Sequence, residues 1–263
     1  MAKIIAITNQ KGGVGKTTTA MNFGVGLVRR GKRVLFVDMD PQCSLTYVMC
    51  GNSQGVTVRD LLTNRTDGVA EAIQRVREGD LIAAHPDLTS IESDLEGEDA
   101  TYRLARAIAP INHRYDYIII DSPPALSMLT LNILTAASGV IVPSLADIFS
   151  LQGLGQLYSS IQVVRECCDI PLPIYGILMI RHTDRFILNR SMREMLENTA
   201  AQLGTRVFRS TIRDAIAVRE AAASRQSLFA YSPRSKQTRD YEAFVEEYCD
   251  LERRGVWRFG IRG

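Results

Sequence analysis

The chain has 263 residues, 46% hydrophobic and 23% charged, and its 31 Lys and Arg against 29 Asp and Glu leave a formal charge of +2. This balance is typical of a soluble globular protein and excludes a disordered chain, a collagen-like repeat and a disulfide scaffold. The sequence contains no apolar run long enough for a transmembrane helix and no N-terminal signal peptide, so we predict a cytoplasmic protein.

Apolar segments alternate with amphipathic segments along almost the whole sequence. Continuous apolar strands separated by helices indicate a parallel sheet that is covered on both faces. We therefore predict a single-domain α/β fold, a mostly parallel sheet with helices on both faces, over residues 1–255 and a short tail at 256–263. The predicted strands are Ile4–Thr8, Arg33–Val37, Asp80–Ala83, Tyr117–Ile120, Val140–Val142 and Ile174–Ile180, and the predicted helices are Thr17–Arg30, Leu126–Ala137, Leu151–Cys167, Leu188–Leu203 and Thr238–Arg253.

A glycine-rich segment with the sequence QKGGVGKTT lies directly between the first predicted strand and the first predicted helix. It fits the pattern G-x-x-x-x-G-K-[ST] except at its first position, which is Gln10, and a second lysine, Lys11, follows. Glycines let backbone N–H groups converge on phosphate oxygens, and the helix N-terminus adds positive potential. Lys16 would neutralise the β- and γ-phosphates, and the Thr17 hydroxyl would bind Mg²⁺. The segment therefore predicts a P-loop NTPase fold, with a nucleotide bound by Gly12, Gly13, Val14, Gly15, Lys16 and Thr17.

Three aspartates lie at the carboxyl ends of two predicted strands. Asp38 and Asp40 come just after the second strand, and Asp121 follows the apolar strand that starts at Tyr117. In an open α/β sheet, ligands bind at the carboxyl ends of the strands. An acidic residue at such a position, near a glycine-lysine-threonine loop, is typical of a holder of phosphate-bound Mg²⁺.

These motifs resemble those of the ParA/Soj-type partition ATPases of the MinD/ParA superfamily. The segment Lys11–Thr18 is similar to the deviant Walker A loop of that family, and Val37–Gln42 and Ile120–Pro124 resemble its companion motifs. The resemblance extends from Ala2 to about Tyr248. It implies an ATPase that uses ATP and Mg²⁺, hydrolyses ATP slowly and forms an ATP-dependent homodimer.

The resemblance also implies a role for each matching residue. Lys11 is expected to cross the dimer interface and contact the ATP phosphates of the other subunit, and Thr18 is expected to contact the α-phosphate. Asp40 is expected to position the attacking water, while Asp38 and Asp121 support Mg²⁺. The expected catalytic residues are therefore Lys11, Lys16 and Asp40, and the expected metal-binding residues are Thr17, Asp38 and Asp121.

Charge is unevenly distributed along the sequence. Between Arg181 and Arg239 twelve basic residues, eleven of them arginine, stand against five acidic ones, so this segment carries +7 and the rest of the chain −5. Guanidinium groups bind phosphate oxygens in pairs. The family resemblance implies nonspecific binding of double-stranded DNA through such residues, association with the nucleoid, and stimulation of hydrolysis by a ParB-like centromere-binding protein. The expected DNA-contacting residues are Arg185, Arg190, Arg213 and Arg219.

Three alternatives share the phosphate motifs. A MinD-like membrane-cycling ATPase should end in a basic amphipathic helix, whereas the sequence ends in the short, glycine-broken segment WRFGIRG, so membrane binding is not expected. An iron–sulfur carrier needs paired cysteines, and the five cysteines form no CxxC pair. The third alternative, an ATPase that positions other cellular machinery, is compatible with the sequence.

Overall fold

The structure is a computed structural model that describes residues 1–66, 68–91, 95, 97, 99–182 and 187–257, with the backbone alone at 148–149 and 187–190. The strands of this part are β1 (Lys3–Ile7), β2 (Val34–Asp38), β3 (Ile73–Val76), β4 (Gly79–Ile82), β5 (Tyr117–Asp121), β6 (Gly139–Leu145), β7 (Ile174–His182) and β8 (Val207–Arg213). They form one sheet in the order β3-β4-β2-β5-β1-β6-β7-β8. Only the β3–β4 pair is antiparallel among these strands, so the predicted mostly parallel sheet is confirmed.

Helices cover both faces of this sheet, as predicted. The α-helices of the described residues are α1 (Lys16–Arg29), α2 (Ser44–Val48), α3 (Val58–Leu62), α4 (Val69–Ala72), α5 (Leu88–Ile91), α6 (Arg103–Ile108), α7 (Met128–Ala136), α8 (Ile148–Cys168), α9 (Ile187–Gln202), α10 (Ile216–Ala223), α11 (Leu228–Tyr231) and α12 (Lys236–Arg253). No helix in this part of the chain is long and apolar enough to cross a membrane.

The alternation of side chains along the central strand divides the core into two layers. Ile4 and Ala6 pack into a cluster with α3, α6, α7, α8 and α9, while Ile5 and Ile7 pack into a second cluster with α1, α11 and α12. Helix α1 packs very close to the sheet at Gly24, where a Cβ atom would stand only 2.2 Å from the Phe36 ring. The helix that follows the glycine-rich loop is therefore fixed against β2.

Two strands were not predicted, and both are at or near the edges of the sheet. In β8 only Phe208 and Ile212 are buried, because one face of this strand is polar and solvent-accessible. Strand β3 has only four residues, two of them polar, and forms an antiparallel hairpin with β4. A continuous apolar run is the signature of a strand buried on both faces, so that criterion misses edge strands. The boundary between the α/β domain and the C-terminal tail at residue 255 stays a prediction.

Candidate functional site

The glycine-rich loop joins β1, the fifth of the eight strands in sheet order, to α1. After β1 the chain continues to β2 in one half of the sheet, whereas after β5 it crosses to β6 in the other half. Open α/β sheets bind ligands where the strand order reverses in this way. Gly13 and Gly15 have positive φ angles of 72° and 70°, a conformation that favours glycine. A Cβ atom at Gly15 would also stand 2.7 Å from Cδ1 of Ile180. The loop thus requires glycine for its backbone conformation and for its close approach to β7.

Buried polar side chains anchor the start of the loop to β6 and α8. The amide of Asn9 donates a 2.8 Å hydrogen bond to the Pro143 carbonyl and accepts one of 2.9 Å from the Lys11 N–H. The Gln10 amide donates to the Ser160 hydroxyl at 3.1 Å. Sequence reasoning missed Asn9, because its partner on β6 is 134 positions away in the chain.

Lys16 begins α1 and is almost fully buried beneath the loop. Its ammonium group donates to the Lys11 carbonyl at 3.3 Å. Burial lowers the pKa of Lys16, whereas the carboxylates of Asp121 and Asp40 oppose that shift. A cation held among two acids beside convergent N–H groups is suited to neutralise bound phosphate.

Lys11 lies at the mouth of the loop and forms an ion pair with Asp147 in the same chain. Its Nζ atom is 2.8 Å from Oδ1 and 2.6 Å from Oδ2 of Asp147. Asp147 also caps α8, because Oδ1 accepts 2.8 Å and 3.0 Å hydrogen bonds from the N–H and hydroxyl of Ser150. The pKa of Asp147 is lowered, since the hydrogen bonds from Lys11 and Ser150 outweigh its partial burial.

Asp121 ends β5 at the point where a metal is expected. It is paired in register with Ile7 of β1 and with Asp38 of β2, and it is fully buried. Neither of its carboxylate oxygens accepts a well-formed hydrogen bond, although the Thr17 hydroxyl lies nearby. Burial and the charge of Asp38 raise the pKa of Asp121 well above its ordinary value, although the nearby Thr17 hydroxyl and Lys16 oppose this shift.

A buried carboxylate without a well-formed hydrogen bond fits a cation such as Mg²⁺, which prefers oxygen ligands and whose charge would keep Asp121 ionised. Among the described residues, no group of three or more His, Cys, Asp or Glu side chains could hold a metal. A magnesium ion beside Asp121 and the Thr17 hydroxyl would therefore take its other ligands from phosphate oxygens and water.

Asp38 is buried in a different way, because donors already surround it. Its Oδ2 atom accepts 2.7 Å and 2.8 Å hydrogen bonds from the N–H and hydroxyl of Thr46, and Oδ1 accepts one of 3.1 Å from the Asp40 N–H. Burial raises the pKa of Asp38 to about 6 in spite of these bonds. Asp40 itself accepts a 2.9 Å hydrogen bond from the Gln42 N–H. Asp38 is thus engaged in holding the segment that carries Asp40.

The loop and Asp40 border an open cleft of about 860 Å³, a volume in the usual range for small-molecule sites. Gly12, Gly13 and Gly15 to Thr18 line part of it together with Asp40, and other parts are lined by α2, α10 and the residues that follow α10. Val14 does not line the cleft, because its side chain is buried in the protein.

The four arginines predicted to contact DNA have different surroundings. Arg185 lies outside the described residues, and Arg190 is on α9, where only the backbone is described. Arg213 forms an ion pair with Asp240 of α12, with Nε 2.9 Å from Oδ2. Arg219 is exposed on α10. Arg181 was not among the arginines predicted to contact DNA. It is exposed, its backbone is in the left-handed region, and it lines the cleft.

A glycine-rich loop at the centre of a mostly parallel sheet, with a buried lysine and a buried aspartate at the end of the neighbouring strand, defines a P-loop nucleotide-binding protein. A protein-family model described as AAA domain matches residues 2–174. The chain is 36% identical to the sporulation initiation inhibitor protein Soj of Bacillus subtilis over 94% of this chain and 98% of that protein. It is 35% identical to the chromosome partitioning protein ParA of Caulobacter vibrioides over 95% of each.

Solved structures show the same fold. A structure from Mycobacterium smegmatis, described as cobyrinic acid a,c-diamide synthase with bound ADP and magnesium, is 32% identical over 97% of each chain, with a TM-score of 0.82. A plasmid partition protein from Borrelia burgdorferi bound to AMPPNP is 25% identical over 95% of this chain and 99% of that one, with a TM-score of 0.81. The chain belongs to the ParA/Soj family of P-loop ATPases, as its motifs predicted.

Proposed function

We propose that this protein is a partition ATPase whose Mg-ATP-bound homodimer binds double-stranded DNA without sequence preference and so associates with the nucleoid. The relatives named for chromosome and plasmid partitioning support this role, as do the relatives solved with nucleotide. Hydrolysis is slow alone and is stimulated by a ParB-like centromere-binding partner, which releases the dimer from DNA.

In this proposal Lys16 and the loop bind the ATP phosphates, Thr18 contacts the α-phosphate, and Thr17 and Asp121 hold Mg²⁺. Asp40 orients the attacking water, and Lys11 leaves Asp147 to contact ATP in the other subunit. We assign Asp38 to holding the Asp40 segment rather than to the metal, because its oxygens already accept three hydrogen bonds. A bound Mg²⁺ would stabilise the negative charge that develops on the transferred phosphoryl group.

The observation that carries the DNA role is the position of the basic segment beside the phosphate loop. Arg181, Arg213 and Arg219 line a pocket of about 50 Å³ together with Gly15 and Thr18. A nucleotide at the loop would thus adjoin the start of the segment 181–239, which carries +7. Because Arg213 is paired with Asp240, we propose Arg219 and Arg181 as DNA contacts ahead of Arg213.

A gel-shift assay on an arbitrary DNA duplex with ATP, ADP or no nucleotide tests this function. We expect a shift with Mg-ATP only, and a binding constant that falls steeply with salt because each neutralised phosphate releases counterions. Arg219→Ala should weaken binding, whereas Arg253→Ala removes an exposed arginine outside the basic segment and should not. A shift that is indifferent to nucleotide would contradict the proposal, and pelleting with anionic vesicles but not with DNA would favour the membrane-cycling alternative.

A further inference from the structure

Thr46 of α2 connects three separate parts of the site. Its hydroxyl donates to Asp38 at 2.8 Å and accepts a 2.9 Å hydrogen bond from the N–H of Ala84, just after β4. Its own N–H donates to the same Asp38 oxygen at 2.7 Å. The residue is buried, with only 2% of its surface exposed. Thr46 therefore ties α2 to the ends of both β2 and β4.

The chain of hydrogen bonds continues from Thr46 to the residue that we assign to the attacking water. Asp38 accepts from the Asp40 N–H through the oxygen that Thr46 does not use. The Asp40 backbone is thus fixed by a carboxylate that is itself oriented by two donors of Thr46. A group buried this deeply has no water to replace a lost donor, so its orientation depends on these bonds.

We propose that Thr46 is a positioning residue for ATP hydrolysis, which acts through Asp38 to hold Asp40 where it orients the attacking water. This inference rests on the proposed role of Asp40. The hydroxyl is the necessary feature, because it is the group that both donates to Asp38 and accepts from Ala84. Thr46 does not bind phosphate in this scheme, so it affects the chemical step more than nucleotide affinity.

The test compares Thr46→Val, which keeps the shape of the side chain but removes the hydroxyl, with Thr46→Ser, which keeps the hydroxyl. We expect Thr46→Val to lower kcat for Mg-ATP roughly ten- to a hundredfold, the scale of a small misplacement of a reacting group. Affinity for ADP should change by less than about threefold, because ground-state binding is retained. Thr46→Ser should recover most of the lost kcat.

Thr57→Val is a matched control, because Thr57 is also buried and its hydroxyl donates to a carboxylate, that of Asp60, at the start of α3. It should leave kcat unchanged. The inference is overturned if folded Thr46→Val turns over at the wild-type rate, if kcat and ADP affinity fall together, or if Thr46→Ser loses as much as Thr46→Val. A wild-type chain that hydrolyses no ATP would instead contradict the proposed function.

Discussion

Lys16 is held in a position where its charge is costly without a ligand. The side chain is buried, its pKa is lowered by that burial, and the two acids that oppose the shift are themselves partly or fully desolvated. A phosphate group would add the negative charge that this ammonium needs and would find backbone N–H groups beside it. The energetics of the residue therefore favour a phosphate-bound state.

Replacing Lys16 by alanine should weaken nucleotide binding strongly. A hydrogen bond to a charged group contributes about 1.5–3 kcal/mol, so ATP affinity should fall at least about tenfold and as much as a hundredfold or more. Isothermal titration with ATP and ADP measures the loss. Lys32→Ala removes the same charge from an exposed position outside the cleft and should bind normally. Undiminished affinity in Lys16→Ala would show that the loop is not the phosphate site.

At the residue scale, the sequence predicts what lies in one short motif and misses what depends on distant partners. Lys16 and Asp121 could be predicted, because each has a fixed place after a strand of recognisable pattern. Thr46 could not be singled out, since its role depends on Asp38 and on Ala84, 38 positions further along. The pairing of Lys11 with Asp147 spans 136 positions and is equally absent from any local pattern.

At the scale of elements, the start of α8 serves two purposes through one side chain. Asp147 accepts hydrogen bonds from Ser150, which caps the helix, and it binds the ammonium of Lys11. The helix start thus stabilises the fold and restrains the lysine that we propose to contact the other subunit's ATP. Central elements such as α8 were predicted from their apolar periodicity, but this capping contact lies before the first residue of the predicted helix, Leu151.

The two purposes can be separated with Asp147→Asn and Asp147→Ala. Asparagine is a good N-cap without charge, so the alanine variant should lower the free energy of unfolding by about 1 kcal/mol more than the asparagine variant in a urea titration. Both variants release Lys11 from an ion pair that is partly exposed to water. Such pairs contribute about 0.2–1 kcal/mol, so ATP-dependent dimerisation should strengthen by at most about fivefold in both.

Sedimentation at several protein concentrations gives the dimer constant of each variant. Asp147→Glu serves as the control, because it keeps the negative charge near Lys11. Our view of Asp147 would be wrong if neither uncharged variant changed the dimer constant, or if asparagine lowered the free energy of unfolding as much as alanine.

In the whole molecule, the net charge of +2 is the sum of a positive segment and a negative remainder of the chain. Ion pairs in the folded protein reduce the charge that the positive segment exposes. The segment 181–239 carries +7, but Arg209 and Arg213 of β8 form ion pairs with Glu247 and Asp240 of α12. The positive charge that remains for DNA is therefore smaller than the sequence count. Fewer phosphate contacts give a smaller salt dependence of binding, because the slope counts neutralised phosphates. The sequence could predict the sign of this face but not its magnitude, because Asp240 and Glu247 lie beyond the counted segment.

Lys11 acts in the proposed mechanism only across an interface between two subunits, so it should also control assembly. Asp40→Ala removes the carboxylate that orients water but none of the phosphate contacts, so it should bind Mg-ATP, hydrolyse it slowly and accumulate as a dimer. Sedimentation should then give about twice the monomer mass of 29.2 kDa, reversed by EDTA. Adding Lys11→Ala to this variant should restore the monomer. A variant that stays monomeric with Mg-ATP, or a dimer that survives both EDTA and loss of Lys11, would contradict an ATP-bridged interface.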